Sequence, residues 1–189
     1  SRGLGDVYKR QLGMEFYDKE LIDAAAKEIG FPTEMIADRE QRLTNSLLYN
    51  FAMGTLYGIA YPREPKVSEL PLTEQIYQAQ KKAIEEAAKR GSCIFVGRCA
   101  DYILKSRPDV LRVFIYADRD IRKRRAIEEY GEIEEYIDEF MYQTDKRRRI
   151  HYENYTNQKW GSRENYDLML NSGDLGLDKC VELLCEAVK

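Results

Sequence analysis

Short apolar runs alternate with amphipathic stretches along most of this chain. The runs have the length and the β-branched or aromatic content of buried strands, and three of them are CIFVG, LRVFIYA and YDLMLN. A further short strand is predicted to end in EFYDKE, where Asp18 is positioned to cap the helix that follows. Short strands that alternate with helices are typical of a parallel sheet covered by helices on both faces. We therefore predict an α/β fold.

The amphipathic stretches predict helices between and after these strands. Thr73 begins a helix whose apolar residues share one face and which ends at Gly91. Four later helices are predicted in RCADYIL, in DRDIRKRRAIEEYG, from about Ile133 to Tyr155, and in LGLDKCVELLCEAV. Nearer the N-terminus, the pattern predicts helices after Asp18 and from Thr33 to Arg39, and then an apolar stretch from Thr44 to Ala60.

Composition narrows the class of protein. The 189 residues suffice for one domain with a sizeable core, and no stretch approaches the roughly 18 apolar residues of a membrane span. The four cysteines form no C-x-x-C pair and the chain has one histidine, so we expect no protein-held metal and no disulfide. A reducing, cytoplasmic setting fits this cysteine usage. The net charge of −3 argues against a general nucleic-acid binder.

The first candidate site is GRCAD, residues 97–101, which follows the predicted CIFVG strand. Ligands of open α/β sheets bind beyond the carboxyl ends of the strands, so Arg98 and Asp101 would face a bound substrate. The alternative is a surface arginine and a helix-capping aspartate, and position alone does not decide between the two.

The second candidate site is DRDIRKRR, just after LRVFIYA. Arg119, Arg122 and Arg125 are three residues apart and therefore share one helix face. The guanidinium group can grip phosphate oxygens in pairs, which lysine cannot do. A solvated face is the better explanation for any single arginine, whereas the cluster at the end of a strand favours a phosphate site.

The third candidate site is DKRRRIHYENYT. Asp145 precedes Arg148 by three residues and Arg149 by four, so it can orient either side chain. A carboxylate that holds an arginine ready suits a mobile lid which brings positive charge onto a transferring phosphoryl group. The alternatives are an exposed ion pair worth about 0–1 kcal/mol, or an RNA contact made by the interleaved Tyr152, Tyr155 and Trp160.

Together these sites contain many arginines, no nucleophile–base pair and no metal cage. Phosphoryl transfer fits this set, because its catalysis consists mostly of positioning and charge neutralisation. Mg²⁺ would then arrive with the nucleotide.

At this point the sequence resembles the cytidylate kinase-like family of P-loop nucleoside monophosphate kinases. The resemblance covers roughly Leu12 to Lys189. The matching segments are EFYDKELI, CIFVGRCADYIL, LRVFIYADRDIRKRR, DKRRRIHYENYT with the following KWG, and ENYDLMLNSGDLGLD. It implies a three-layer P-loop NTPase-like parallel sheet flanked by helices. It also implies ATP-dependent phosphoryl transfer to a nucleoside monophosphate, with CMP as the leading acceptor.

The resemblance also implies roles for particular residues. Three of them would contact the acceptor nucleotide, namely Asp18, Arg98 and Asp101. Arg122 and Arg125 would begin a lid region of about residues 119–160. Asp145 with Arg148 would match the acidic–basic pair of that lid.

The opening segment SRGLGDVYKRQ does not match the family. It holds two glycines but no G-x-x-x-x-G-K-[ST] motif, and its whole length matches the translation of a transposase-based sequencing adapter. We therefore expect a non-native leader at residues 1–11, and at residues 12–189 a kinase-like domain without its first, central strand and phosphate loop. That strand would lie between the CIFVG and LRVFIYA strands. The chain as printed is accordingly expected to be poorly folded and inactive, because each buried unpaired backbone group costs about 1–3 kcal/mol.

Two other functions stay open at this point. One is a nucleotide-sensing or regulatory domain that binds without transferring phosphate. The other is an RNA-binding module that uses the segment from Lys146 to Trp160, which the acidic remainder of the chain disfavours. The expected partners are nucleotides, with no membrane and no nucleic acid, and the sequence predicts no oligomeric state.

Overall fold

The computed structural model of the protein describes residues 14–18 and 70–188. The chain divides into two compact units, Ser1–Phe16 with Ser92–Lys189, and Tyr17–Gly91. The leader predicted at residues 1–11, the helices predicted between residues 18 and 39, and the apolar stretch from Thr44 to Ala60 lie outside the described residues.

Four strands occur among the described residues, and they coincide with the four apolar runs predicted to be strands. They are β1 (Glu15–Tyr17), β2 (Cys93–Phe95), β3 (Val113–Tyr116) and β4 (Leu168–Asn171). Strand β1 pairs with β2, and β3 pairs with β4. The β3–β4 pair is parallel, with Val113 opposite Leu168 and Tyr116 opposite Asn171. The α/β prediction is confirmed, and the described part of the sheet consists of these two pairs.

Strands β2 and β3 are not neighbours among the described strands. This is where the family resemblance implies a central strand. Residues 14–18 and 70–188 supply no strand at that place, and the loss of this strand from the chain stays a prediction.

Five of the six described α-helices were predicted, with shifted ends, and the single turn Ser172–Leu175 was not. They are α1 (Leu72–Arg90), α2 (Ala100–Ile103), α3 (Arg119–Glu128), α4 (Ile137–Thr156), α5 (Ser172–Leu175) and α6 (Leu177–Ala187). The helix predicted from Ile133 begins instead with a 3₁₀ turn, Glu134–Tyr136, which leads into α4. Helix α4 ends at Asn157, whose left-handed φ of 53° stops the helix. No helix of the described residues is long and apolar enough to cross a membrane.

The core of the larger unit lies between the β3–β4 pair and α6. Its buried residues are Leu170, Cys180, Val181 and Leu184, and Val113 and Ile115 pack against them from β3. The 3.6-residue period of α6 places its apolar side chains on this one face, and each such side chain contributes about 1.5–3 kcal/mol on burial.

The opposite face of β3 is covered as well. Phe114 lies 5.6 Å from the ring of Trp160 and 5.0 Å from the ring of Tyr166, centroid to centroid. Gly161, at a φ of 71°, comes so close that a Cβ there would lie 3.2 Å from the Phe114 ring. Packing on both faces explains why the strand VFIY is continuously apolar rather than alternating.

In the smaller unit, α1 is the helix predicted from Thr73 to Gly91. One face of α1 is buried, and it includes Tyr77, Ala83, Ile84, Ala87 and Ala88. The opposite face carries the i,i+4 pairs Lys81–Glu85 and Lys82–Glu86, which are typical of a solvated helix surface.

Candidate functional site

The chain turns sharply after β2, at the segment GRCAD. Gly97, Arg98 and Cys99 have φ angles of 78°, 54° and 57°, so three consecutive residues are left-handed. The turn closes with a hydrogen bond from Ala100 N to Gly97 O of 3.1 Å. A left-handed residue other than glycine costs about 1–2 kcal/mol, and such strain is concentrated at functional sites. This turn shortens the predicted RCADYIL helix to the single turn of α2.

Cys99 is almost completely buried inside this turn. Burial and, to a smaller extent, the nearby Asp101 carboxylate raise the pKa of its thiol to about 12, although the positive charge of Arg98 lowers it. The thiol is therefore fully protonated at neutral pH, and Cys99 is a packing residue rather than a nucleophile.

Asp101 lies in the first turn of α2 and is partly buried. Its Oδ2 accepts a hydrogen bond of 2.8 Å from the hydroxyl of Tyr152 on α4. Burial raises the pKa of Asp101, and the Tyr152 hydrogen bond and the positive charge of Arg112 lower it, with burial the stronger effect. Asp101 is thus a carboxylate whose ionised form is opposed by burial and supported by a neutral donor.

Arg112 acts on Asp101 only through its charge, because its hydrogen bonds go to another carboxylate. Its Nη2 and Nε lie 2.6 Å and 3.0 Å from Oδ1 and Oδ2 of Asp167. Hydrogen bonds from the Arg112 side chain and backbone lower the pKa of Asp167. This bidentate pair joins the segments that lead into β3 and β4.

The second part of the site is centred on Asp145 of α4. Its Oδ2 accepts a hydrogen bond of 2.7 Å from Arg122 Nη2 on α3, and its Oδ1 lies 3.6 Å from Arg148 Nη1. The Asp145–Arg148 pair was predicted from spacing, whereas the shorter contact with Arg122, from a different helix, was not. We call these three residues the Asp145 cluster.

The Asp145 cluster is accessible from solvent. The exposed fractions of the side chains are 36% for Arg122, 30% for Asp145 and 58% for Arg148. Desolvation lowers the pKa of Arg148 and Asp145 raises it, but a guanidinium this exposed stays fully charged at neutral pH. Two cations around one anion leave the cluster with a net positive charge.

Arg125 points away from this cluster. Its Nη1 donates to Ser172 Oγ at 3.0 Å and its Nη2 to the Ser172 carbonyl at 2.8 Å. The Ser172 hydroxyl in turn donates to the Tyr116 carbonyl at 3.1 Å. Arg125 therefore joins α3 to the carboxyl ends of β3 and β4, while its predicted catalytic role stays a prediction. The sequence does not identify Ser172 as the partner of Arg125, because its only signal is its place after the YDLMLN strand.

Arg119 contacts neither Asp145 nor Ser172. Its Nη2 donates to Asp138 Oδ1 at 2.9 Å, and Lys123 Nζ lies 3.3 Å from the other oxygen of the same carboxylate. Lys123 and Arg119 together lower the pKa of Asp138. These exposed pairs connect the first turns of α3 and α4.

The aromatic residues considered above for RNA stacking are buried or contact other aromatic rings of the protein. The Tyr152 side chain is only 5% exposed, and Trp160 packs edge-on against Phe114. The His151 ring lies 5.0 Å from that of Tyr155. A buried ring cannot stack with a base, which removes Tyr152 from the RNA hypothesis, whereas Tyr155 and Trp160 are only partly buried.

Asp18, the third predicted acceptor contact, directly follows β1 and is partly buried. It belongs to the smaller unit, whereas Arg98, Asp101 and the Asp145 cluster belong to the larger one. The larger unit therefore contains six of the seven predicted site residues. Five of them lie in the two groups around Asp101 and Asp145, and Arg125 is the sixth.

Comparisons with known proteins show the family of this chain and its fold. The sequence profile described as the cytidylate kinase-like family matches residues 4–174. No curated protein matches the chain. A crystal structure of an uncharacterized protein from Eubacterium ventriosum matches with a TM-score of 0.72 and 22% identity, covering 99% of this chain and 90% of that one. At that identity the structural match supports the α/β fold alone. Because the family profile spans most of its length, this chain belongs to the cytidylate kinase-like family.

Proposed function

We propose that the full-length gene product transfers a phosphoryl group from ATP to a nucleoside monophosphate, with CMP as the leading acceptor. The observation that carries the proposal is the Asp145 cluster, in a chain whose family is kinase-like. A carboxylate held between two guanidinium groups keeps those groups extended and close together without neutralising both of them.

Such a cluster suits the charge that develops in phosphoryl transfer. The transition state spreads negative charge over the oxygens of the transferring group, and preorganised cations stabilise it there. Arg148 is the more exposed of the two arginines and would contact that group, while Arg122 has the shorter bond to Asp145. We propose that residues 119–160, which contain α3 and α4, form the lid that carries these arginines.

The acceptor would bind at the carboxyl end of β2, where Arg98 and Asp101 lie. Arg98 would hold the monophosphate, since a guanidinium group matches phosphate oxygens in pairs. Asp101 would accept a hydrogen bond from the exocyclic amino group of cytosine, a donor that uracil lacks. This chemistry favours CMP over UMP, and Asp18 is the candidate for a further contact.

ATP and Mg²⁺ fit the residues that the structure describes. The arginines supply cations for phosphate oxygens, and no group of three potential metal ligands occurs among residues 14–18 and 70–188. Mg²⁺ usually enters such sites on the nucleotide phosphates rather than in an all-protein cage, and its charge would neutralise the β- and γ-oxygens. The four free cysteines are consistent with a reducing, cytoplasmic location.

The phosphate loop is the remaining requirement of a P-loop NTPase-like layout. The printed sequence contains no G-x-x-x-x-G-K-[ST] motif, so we propose that the printed chain is inactive and the full-length protein active. The test is a coupled assay with ATP and each of CMP, dCMP, UMP and AMP, run on both proteins under identical conditions. We expect turnover only from the full-length protein and the highest kcat/KM with CMP. Turnover by the printed chain would contradict the requirement for the loop.

A domain that senses nucleotides without transferring phosphate is the second candidate, and the missing motif is the observation that favours it. It predicts that the full-length protein binds CMP or ATP in calorimetry but forms no product. Sequencing the gene upstream of the codon for Leu12 separates the two candidates cheaply. An intact phosphate loop favours the kinase, and a degenerate one favours the sensor.

A further inference from the structure

We propose that Tyr152 is a positioning residue for the acceptor nucleotide, holding one oxygen of Asp101 so that the carboxylate presents its other oxygen to the acceptor base. This inference rests on the proposed function, in which Asp101 contacts the acceptor. It assigns to helix α4 a second task besides carrying the Asp145 cluster.

The contact between Tyr152 and Asp101 is direct and enclosed. The Tyr152 hydroxyl lies 2.8 Å from Asp101 Oδ2, and the Tyr152 side chain is only 5% exposed. The same hydroxyl lies 3.2 Å from Gln158 Oε1. A hydroxyl has a single proton to donate, and the shorter contact with a carboxylate is the stronger acceptor. We therefore assign the hydroxyl proton to the hydrogen bond with Asp101, where it orients the carboxylate together with the backbone N–H groups of Asp101 and Tyr102.

The position of Tyr152 on α4 connects this contact to the phosphoryl site. Asp145, Arg148 and Tyr152 have the spacing i, i+3, i+7, so they form one stripe along the same helix face. Asp145 and Tyr152 are seven residues apart, which is about 10 Å along the helix. One rigid element thus carries the arginine proposed to contact the transferring group and the hydroxyl that orients the acceptor carboxylate.

The groups around Asp101 make it sensitive to this hydroxyl. Cys99 approaches from the left-handed turn, Tyr152 from α4, Tyr166 from the segment before β4, and Arg112 from the segment before β3. The positive charge of Arg98 acts on the Cys99 thiol of the same turn. Cys99, Tyr152 and Tyr166 are neutral at pH 7, and Arg112 is engaged by Asp167. The Tyr152 hydrogen bond opposes the effect of burial on the pKa of Asp101. Loss of the hydroxyl should therefore raise the pKa of Asp101 further.

The test is Tyr152→Phe in the full-length protein, because phenylalanine keeps the buried ring and removes only the hydroxyl. We expect KM for CMP to rise about 10-fold, in line with the loss of one hydrogen bond to a charged group, with KM for ATP unchanged. The acidic limb of the pH profile of kcat/KM for CMP should move to higher pH. Calorimetric binding of CMP should weaken by the same factor.

A matched control is Tyr142→Phe, the same substitution on the same helix at a side chain that is 55% exposed. It should leave both KM values and the pH profile unchanged. Asp101→Asn provides a second route that does not depend on how Tyr152→Phe folds. It keeps an acceptor for the Tyr152 hydroxyl, and it should raise KM for CMP and abolish the acidic limb. In the Asp101→Asn background, Tyr152→Phe should have little further effect on KM for CMP.

Three outcomes would overturn the inference. The first is a folded Tyr152→Phe variant with unchanged KM for CMP and an unchanged pH profile. The second is an equal loss for CMP and ATP, which indicates a purely structural role. The third is Asp101→Asn with wild-type KM and a wild-type acidic limb. If the wild-type protein neither binds nor phosphorylates any nucleoside monophosphate, the proposed function fails and the inference fails with it. If the wild-type protein phosphorylates CMP and the Tyr152→Phe variant has the same KM and pH profile, only the inference about Tyr152 fails.

Discussion

The two parts of the candidate site are each built around an aspartate, and they treat its charge differently. Asp145 lies between Arg122 and Arg148 and is partly open to solvent. Asp101 is held by the neutral Tyr152 hydroxyl in a more enclosed position. The first arrangement leaves excess positive charge, as a phosphate-rich ligand requires. The second leaves a carboxylate that is oriented but not neutralised, as a neutral donor on a base requires.

The difference shows how one residue type serves two purposes on the same framework. A carboxylate between two arginines stabilises the fold and also organises cations. A partly buried carboxylate such as Asp101 costs stability, because the water that its ionised form loses outweighs its hydrogen bonds and the attraction of Arg112. Such a loss of folding stability is typical of residues that bind a ligand. Three experiments test this comparison.

The largest effect is expected from Arg148→Ala in the full-length protein. Removing a cation that meets the transferring phosphoryl group should lower kcat about 100-fold or more. The melting temperature should change little, since the Arg148 side chain is 58% exposed. Steady-state kinetics and thermal melts check both statements. The control is Arg149→Ala, one residue further along the same helix, which should keep the wild-type kcat. Equal losses of kcat in the two variants would remove Arg148 from the mechanism.

A smaller effect, on stability, is expected from Arg125→Ala. It removes two hydrogen bonds from a charged donor to the buried Ser172, which should cost about 2 kcal/mol of unfolding free energy. Urea unfolding of Arg125→Ala beside the exposed Arg124→Ala measures the difference. A large loss of kcat with unchanged stability would instead place Arg125 with Arg122 and Arg148 in catalysis.

The smallest effect, and the one that separates the two aspartates, is on the pH dependence of stability. The pKa of Asp101 is raised in the folded protein, so its ionised form destabilises the fold as the pH rises above about 3.9, the usual value for aspartate. Asp101→Asn should therefore raise the melting temperature at pH 7 by a few degrees, with the gain disappearing toward pH 3. Asp145→Asn should lower the melting temperature at pH 7, because it leaves two arginines facing each other. Thermal melts at pH 3, 5 and 7 that show the same sign for both variants would invalidate the distinction.

Much of the fold was predictable because the signals are local. The strands β2, β3 and β4 coincide with the predicted apolar runs, and the face of α6 follows from helical spacing alone. The Asp145–Arg148 pair was predictable for the same reason, since residues three positions apart on a helix are neighbours on its surface. The left-handed turn at Arg98 and Cys99 was not, because neither residue type favours a positive φ and only the surrounding packing imposes it.

The amino-acid sequence by itself determined the order of strands and helices, the arginine-rich faces of α3 and α4, and the family resemblance that the profile match confirms. Only the tertiary structure decided which of these side chains meet. Arg122 reaches Asp145 across 23 residues, Arg125 reaches Ser172 across 47, and Tyr152 reaches Asp101 across 51. The physical reason is that periodicity describes which residues share a face of one element. The contacts that distinguish a phosphate-binding arginine from a structural one depend on how separate elements pack.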